Sequence, residues 1–192
     1  MCGFLPLGSK PFFHLGRGES TVQKAVIMDA DGVRRALTRI AFEIVEKNQG
    51  VQDLVLAGVK TRGEFLARRI AEKLREVEGK TPPVLALDVT PWRDDIPRSD
   101  APLPPADPRI EGASVVIVDD VLYTGRTVRA AIEAVSHMGR AGRIQLAVLV
   151  DRGHREIPIR PDYIGKNLPT SREERVRVRL TEVDGEDNVT IL

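Results

Sequence analysis

Cysteine is nearly absent: Cys2 stands alone among 192 residues. That excludes an intrachain disulfide and any metal cluster built on thiolates, and it suits a reducing cytoplasm. Aromatic residues are sparse at 4%, and no stretch approaches the roughly 18 apolar residues of a membrane span. An excess of one charge is missing too. Lys and Arg total 29 against 28 Asp and Glu, so overall charge advertises no nucleic-acid partner and any such surface must be local. The start, MCGFLPLGSKPFFHLGRGES, lacks the unbroken apolar core of a secretory signal because Pro6, Gly8, Lys10 and Pro11 interrupt it. Residues 1–21 read as a flexible tail or a mis-assigned start. Residues 22–192 read as one domain, for which the length and a 42% hydrophobic content suffice.

The basic residues are mostly arginine, and there are 13 prolines. That balance fits planar anion recognition, a GC-rich genome or heat tolerance, and does not choose among them. After the tail, strand-like and helix-like patterns alternate. KAVIMD reads as a short strand; from Asp31 the apolar positions Val33, Leu37, Ile40, Ala41 and Ile44 recur at helical spacing, ending near Asn48-Gln49-Gly50. DLVLAGV, PVLALDVT, ASVVIVDD and RIQLAVLVD are aliphatic strands, while GEFLARRIAEKLREVEG and TVRAAIEAVSHMG are helices. PWRDDIPRSDAPLPPADPRIEG has charge and proline without periodicity, hence a long surface loop. VRVRLTEVDGEDNVTIL predicts a closing pair of strands around an Asp-Gly turn. Such alternation predicts an α/β fold with a mainly parallel central sheet flanked by helices, binding its ligand beyond the carboxyl ends of the strands.

The stretch VVIVDDVLYTGRTV, residues 115–128, carries the chemistry. Asp119 and Asp120 end an aliphatic strand. Adjacent acids there are often only solvated or capping groups, but Thr124-Gly125-Arg126-Thr127 leads straight into a helix. Its backbone N–H groups, hydroxyls and helix dipole converge on a spot suited to phosphate, and Gly125 permits close approach. A carboxylate pair accepts from two vicinal hydroxyls and a turn of donors surrounds a phosphate; together they describe a ribose 5-phosphate. The spacing is neither that of a P-loop nor of a dinucleotide fingerprint.

Residues 115–127 resemble the phosphoribosyl pyrophosphate (PRPP) signature of the phosphoribosyltransferases. With QKAVIMDADGVRRALTRIAFEIVEKN, AGVKTRG, WRDD, IQLAVLVDRGHREIPIRPDYIGKN and PTS, the resemblance narrows to the PyrR family of pyrimidine-operon attenuators with uracil phosphoribosyltransferase activity, over residues 23 to about 190. It implies a type I phosphoribosyltransferase fold with a small hood, transfer of uracil onto PRPP to give UMP and pyrophosphate, and Mg2+ arriving with PRPP. It also implies binding of leader mRNA from a pyrimidine operon, a response to UMP or UTP, and assembly as a homodimer or higher oligomer.

Within the resemblance, Asp119 and Asp120 hold the ribose hydroxyls and contact the metal through PRPP, and Thr124 to Thr127 hold the 5-phosphate. Lys60, Thr61 and Arg62 form the pyrophosphate loop, with a non-proline cis peptide expected near Val59 or Lys60; a plain basic surface turn is the alternative. Arg93 contacts pyrophosphate from the flexible loop. Trp92, where relatives carry tyrosine, is either a catalytic contact or a loop aromatic packed on the surface, and Asp94 and Asp95 either order the loop or compete for magnesium. Purine-using relatives place an aspartate where this chain has Tyr123, which favours a pyrimidine. Uracil is expected at Val150 to Arg152 and at a hood backbone matched to Tyr163, Ile164 and Gly165. Arg152, His154, Arg155 and Arg160 form a solvated basic turn, an RNA surface or part of the base site.

On a helical wheel, Arg34, Arg35, Thr38, Arg39 and Phe42 fall outside the apolar stripe. An exposed Phe42 among arginines suits stacking on a loop base or a subunit interface. The resemblance implies RNA contact on this face, with Arg155, Arg160 and Lys166 as further candidates. Two rivals stand beside this reading: a regulator with negligible catalysis, and a housekeeping phosphoribosyltransferase of other base specificity without an RNA role.

Overall fold

The computed structural model describes residues 25–95 and 103–192; the expected tail and residues 96–102 of the proline-rich loop lie outside the described residues. Five strands, β2 (Leu54–Val59), β3 (Val84–Leu87), β4 (Ser114–Leu122), β5 (Arg143–Asp151) and β6 (Tyr163–Asn167), form a parallel sheet in the order β3-β2-β4-β5-β6. Both faces are covered, as continuous aliphatic runs require. Val116 and Val118 of β4 point into the core beneath α1 (Ala30–Asn48) and α2 (Arg62–Glu78), while Val115 and Ile117 point into the core beneath α3 (Arg126–Met138). From β2 the chain steps outward to β3, then returns to β4 on the other side. The strand order therefore reverses between β2 and β4, and the crevice at their carboxyl ends is where such sheets bind ligands.

Local signals account for the helix boundaries. The Asp29 side chain accepts from Gly32 N–H at 2.7 Å to open α1, and Gln49 closes it with left-handed φ of 57°. The predicted stripe of Val33, Leu37, Ile40, Ala41 and Ile44 is buried, whereas Phe42 is 53% exposed. Gly79 ends α2 at φ 69°.

A second, antiparallel sheet is the hood: β1 (Ala25–Met28), β8 (Asn188–Ile191) and β7 (Val176–Arg179), in the order β1-β8-β7. The predicted closing pair is present, but Asp184-Gly185 is not a hairpin turn. It ends a one-turn helix, α4 (Thr181–Asp184), with Gly185 as its left-handed cap at φ 78°. The expectation for Tyr163 to Gly165 is also corrected, since these residues lie in β6 at the edge of the central sheet, parallel to β5. DYIGKN lacks an aliphatic run because an edge strand is only partly buried, and that polarity hid it. Arg39 of α1 donates to the carbonyls of Ile164 and Gly165 at 2.9 and 2.7 Å, covering this edge.

Candidate active site

The crevice begins with a backbone constraint. A Cβ added to Gly63 would sit 2.3 Å from the Val118 carbonyl oxygen and 3.3 Å from Asp119 Cα. Only glycine lets the start of α2 close against β4. This seats Lys60, Thr61 and Arg62 beside the acid pair, with a cis peptide between Lys60 and Thr61 as expected. Lys60 Nζ lies 3.8 Å from Asp88, and Arg62 is paired with Asp184 of α4.

Asp119 and Asp120 lie within β4, which runs two residues further than the pattern suggested. Asp119 Oδ1 accepts from Asp120 N–H at 2.9 Å, and Asp120 Oδ1 accepts from Val121 N–H at 2.8 Å. Burial pushes the Asp119 carboxyl well above the usual carboxylate range, with the charge of Asp120 adding to it. Burial likewise raises Asp120, against the opposing charge of Arg62. Neither acid makes an ion pair among the described residues. A pair of oxygens in that condition fits hydroxyl donors or a cation delivered with a ligand. No group of three or more His, Cys, Asp or Glu placed to hold a metal occurs among the described residues.

Beyond β4, Gly125 takes φ of 95° and turns the chain into α3. Thr124, Arg126, Thr127, Arg93 and Tyr123 line a cavity of about 310 Å³. Arg126 reaches out of the turn to Asp94 and Glu156, at 3.1 and 3.0 Å, and Arg93 pairs with Asp95. Trp92 packs against His137 of α3, with ring centroids 5.8 Å apart, and its carbonyl accepts from Arg129. The packed-aromatic reading describes its contacts.

The basic turn after β5 divides. The Arg152 guanidinium is buried, donates to Thr170 Oγ1 and to the carbonyls of Ser171 and Glu174, and stacks on Tyr123 at 4.1 Å. Arg155 donates to Asp151 and to the carbonyls of Tyr123, Gly153 and Ile159. Both build this wall of the crevice instead of offering free cations, which corrects Arg152 as a base ligand through its head group and Arg155 as an RNA cation. Val150 is buried near the carboxyl end of β5, and Ile164 of β6 is register partner to Val148, two residues earlier in β5. Arg160 is exposed.

On α1, Arg35 and Arg39 line a cavity of about 570 Å³ together with Lys166 of β6, remote in sequence. Arg34 pairs with Asp31, and Thr38 Oγ1 donates to the Arg34 carbonyl. Arg39 also pairs with Glu43.

Sequence reasoning missed that one edge of β7 is unpaired among the described residues. Arg175 and Leu192 exchange both backbone hydrogen bonds. By antiparallel alternation, the N–H and C=O groups of Val176 and Val178 therefore point away from β8. Both residues line a cavity of about 490 Å³ together with Asp120, Arg62 and Asp184. The alternation VRVR marked a strand, but nothing marked which edge would stay unpaired.

Residues 27–181 match the phosphoribosyl transferase domain family. The chain is 54% identical over 179 residues to the bifunctional protein PyrR of Pelotomaculum thermopropionicum, covering 88% of this chain and 96% of that protein. It is 55% identical over 177 residues to the bifunctional protein PyrR of Bacillus velezensis, covering 88% and 97%. Among solved structures it is similar to the hypoxanthine phosphoribosyltransferase of Staphylococcus aureus, with TM-score 0.67 and 18% identity over 88% of this chain and 92% of that one. The corresponding Trypanosoma cruzi enzyme gives TM-score 0.66 at 19% identity, covering 88% and 97%. At such identity the likeness is one of fold.

Proposed function

The chain belongs to the phosphoribosyltransferase family and, within it, to the bifunctional PyrR proteins, and from that premise we propose that it makes UMP from uracil and PRPP and regulates a pyrimidine operon by binding its leader mRNA. The observation that carries the enzymatic half is the Asp119–Asp120 pair, Asp119 buried and Asp120 half-buried, making no ion pair among the described residues and set between the Lys60–Arg62 loop and the Thr124–Thr127 turn.

Uracil N1 displaces pyrophosphate at the anomeric carbon: the N1–C1 bond forms, the C1–O bond breaks, and the N1 proton is released. Asp119 and Asp120 accept from the ribose hydroxyls, and the backbone from Thr124 to Thr127 surrounds the 5-phosphate. Lys60, Thr61, Arg62 and Arg93 hold the departing pyrophosphate, whose charge grows as the bond breaks. Asp119 and Asp120 would be the residues to hold magnesium arriving with PRPP, which would supply further neutralisation of that charge. For the base, the free edge of β7 replaces the Tyr163–Gly165 backbone. The N–H and C=O groups of Val176 and Val178 suit an imide edge of two carbonyls flanking an N–H, and the β5 end at Val150 closes the other side. Tyr123, stacked on Arg152, gives no carboxylate to a purine ring.

For the regulatory half, Arg35, Arg39 and Lys166 supply local positive charge on a protein of nearly balanced composition, and Phe42 offers an exposed ring. UMP or UTP in the crevice is the signal. Exposed Val26 and Phe42 suit burial in a homodimer or higher oligomer. We place the protein in the cytoplasm, with residues 22–192 as one domain and 1–21 as a tail.

The reaction is tested by turnover of uracil, hypoxanthine and guanine with PRPP and Mg2+. Uracil is expected to be the fastest by far; faster turnover of either purine sinks the assignment.

A further inference from the structure

The hood is tied to α2 at two places, and only one of them opens on the crevice. Arg69 donates to Glu182 at 2.6–2.8 Å and to Asp187 at 2.6–2.8 Å. Arg62, the first residue of α2, donates to Asp184 through Nε at 3.2 Å and Nη2 at 2.8 and 3.1 Å. Asp184 Oδ2 also accepts from Leu180 N–H at 3.0 Å, so its own one-turn helix aims the carboxylate. The Arg62–Asp184 pair lines the cavity containing Asp120, whereas Arg69 is not among its walls.

A guanidinium presents a two-pronged fork that matches one carboxylate or two phosphate oxygens, and the same prongs do not serve both. In the ligand-free chain Asp184 fills the fork of the arginine assigned to the leaving group. We infer that Asp184 is an internal competitor for pyrophosphate: it holds Arg62 until PRPP displaces it, and retakes the guanidinium as pyrophosphate departs. This rests on the PRPP reading of the crevice. Arg69 keeps α4 attached throughout, so the exchange breaks one ion pair without freeing the hood. Weaker grip on pyrophosphate raises the KM for PRPP and, in return, speeds product release.

Asp184→Asn in the full chain removes the charge and keeps an acceptor for Leu180 N–H. The expected result is that the KM for PRPP and the calorimetric Kd for magnesium pyrophosphate both fall by about three- to tenfold, the range of a partly exposed ion pair. The KM for uracil stays unchanged. In an Arg62→Ala background the same substitution should have no effect on either constant, a dependence that a merely structural role would not produce. Asp187→Asn, which loosens the Arg69 tie, should lower Tm without tightening pyrophosphate binding. An unchanged or raised Kd in folded Asp184→Asn protein overturns the competition, as does an equal effect with Arg62 absent. If the wild type binds magnesium pyrophosphate but forms no UMP, the proposed reaction fails while the competition is still decided by the binding data.

Discussion

The acids of β4 and the acids of the hood are the same functional group under opposite conditions. Asp119 and Asp120 are held by burial above the usual carboxylate range, without an ion-pair partner among the described residues. Asp187 is lowered to about 2, chiefly by its hydrogen bonds from Arg69, and Glu182 and Asp184 are lowered by Arg69 and Arg62 in the same way. Ion-paired carboxylates hold architecture together; a pair held only by backbone N–H groups, with no ion pair among the described residues, is poised for a ligand that brings donors or positive charge. The contrast also has a pH signature. Asp119 binds its proton more tightly folded than unfolded, so its contribution to stability is complete below the unfolded value of about 3.9 and is lost as pH rises through the raised folded value. Asp187 does the reverse, contributing above about 3.9 and losing that contribution as pH falls toward about 2.

Substitutions that exchange the two conditions should break the contrast. The largest effect is expected from Asp120→Asn, which removes charge where we propose the ribose is gripped: kcat/KM for UMP synthesis should drop by about a hundredfold or more, read in a steady-state assay with saturating uracil. Loss of charge in the hood acts on stability instead. Asp187→Asn should lower Tm by about 4–8 °C near neutral pH, as a loss of about 2 kcal/mol implies for a chain of this size, and thermal melts at pH 3 should show a smaller gap. Asp119→Asn should move the other way, raising the Tm of ligand-free protein at pH 7 by about 2–4 °C while reducing turnover. A lowered Tm in that variant would mean that the acid pair is satisfied after all.

Two arginines of α1 that a helical wheel treats alike differ in the same way. Arg39 is committed to the carbonyls of β6 and to Glu43, so its removal disturbs an edge strand as well as any RNA contact. Arg35 makes no ion pair among the described residues and lines the same cavity. Arg35→Ala should leave Tm unchanged and make the salt dependence of leader-RNA binding shallower by roughly 0.7–0.9 in log–log slope. An unaltered slope would move the RNA surface away from this cavity.

The central sheet was legible because aliphatic strands buried on both faces leave unbroken runs such as VVIV and LAVLV, and the turn into α3 because glycine, threonine and the helix start are adjacent in the chain. Features that depend on pairing between distant segments were not. DYIGKN was displaced into the hood because an edge strand has little hydrophobic pattern. Arg152 and Arg155 looked available because nothing local shows that residues 159 and 170–174 come back to accept from them. Asp184 lies 122 positions from Arg62, beyond the reach of any motif.

Close approach at Gly58 and Gly63 has a consequence for how such a chain diversifies. A methyl group at residue 58 would meet the Gly63 oxygen at 2.5 Å, and one at residue 63 would meet the Val118 oxygen at 2.3 Å. Both neighbours are main-chain atoms held by strand and helix, so no rotamer change relieves the overlap. The span between the Lys60–Arg62 loop and the Asp119–Asp120 pair is thus a fixed gauge, written in backbone and closed to adjustment by side-chain substitution. Descendants that acquire a different acceptor must find their variation in side chains elsewhere around the crevice, while the gauge is inherited whole.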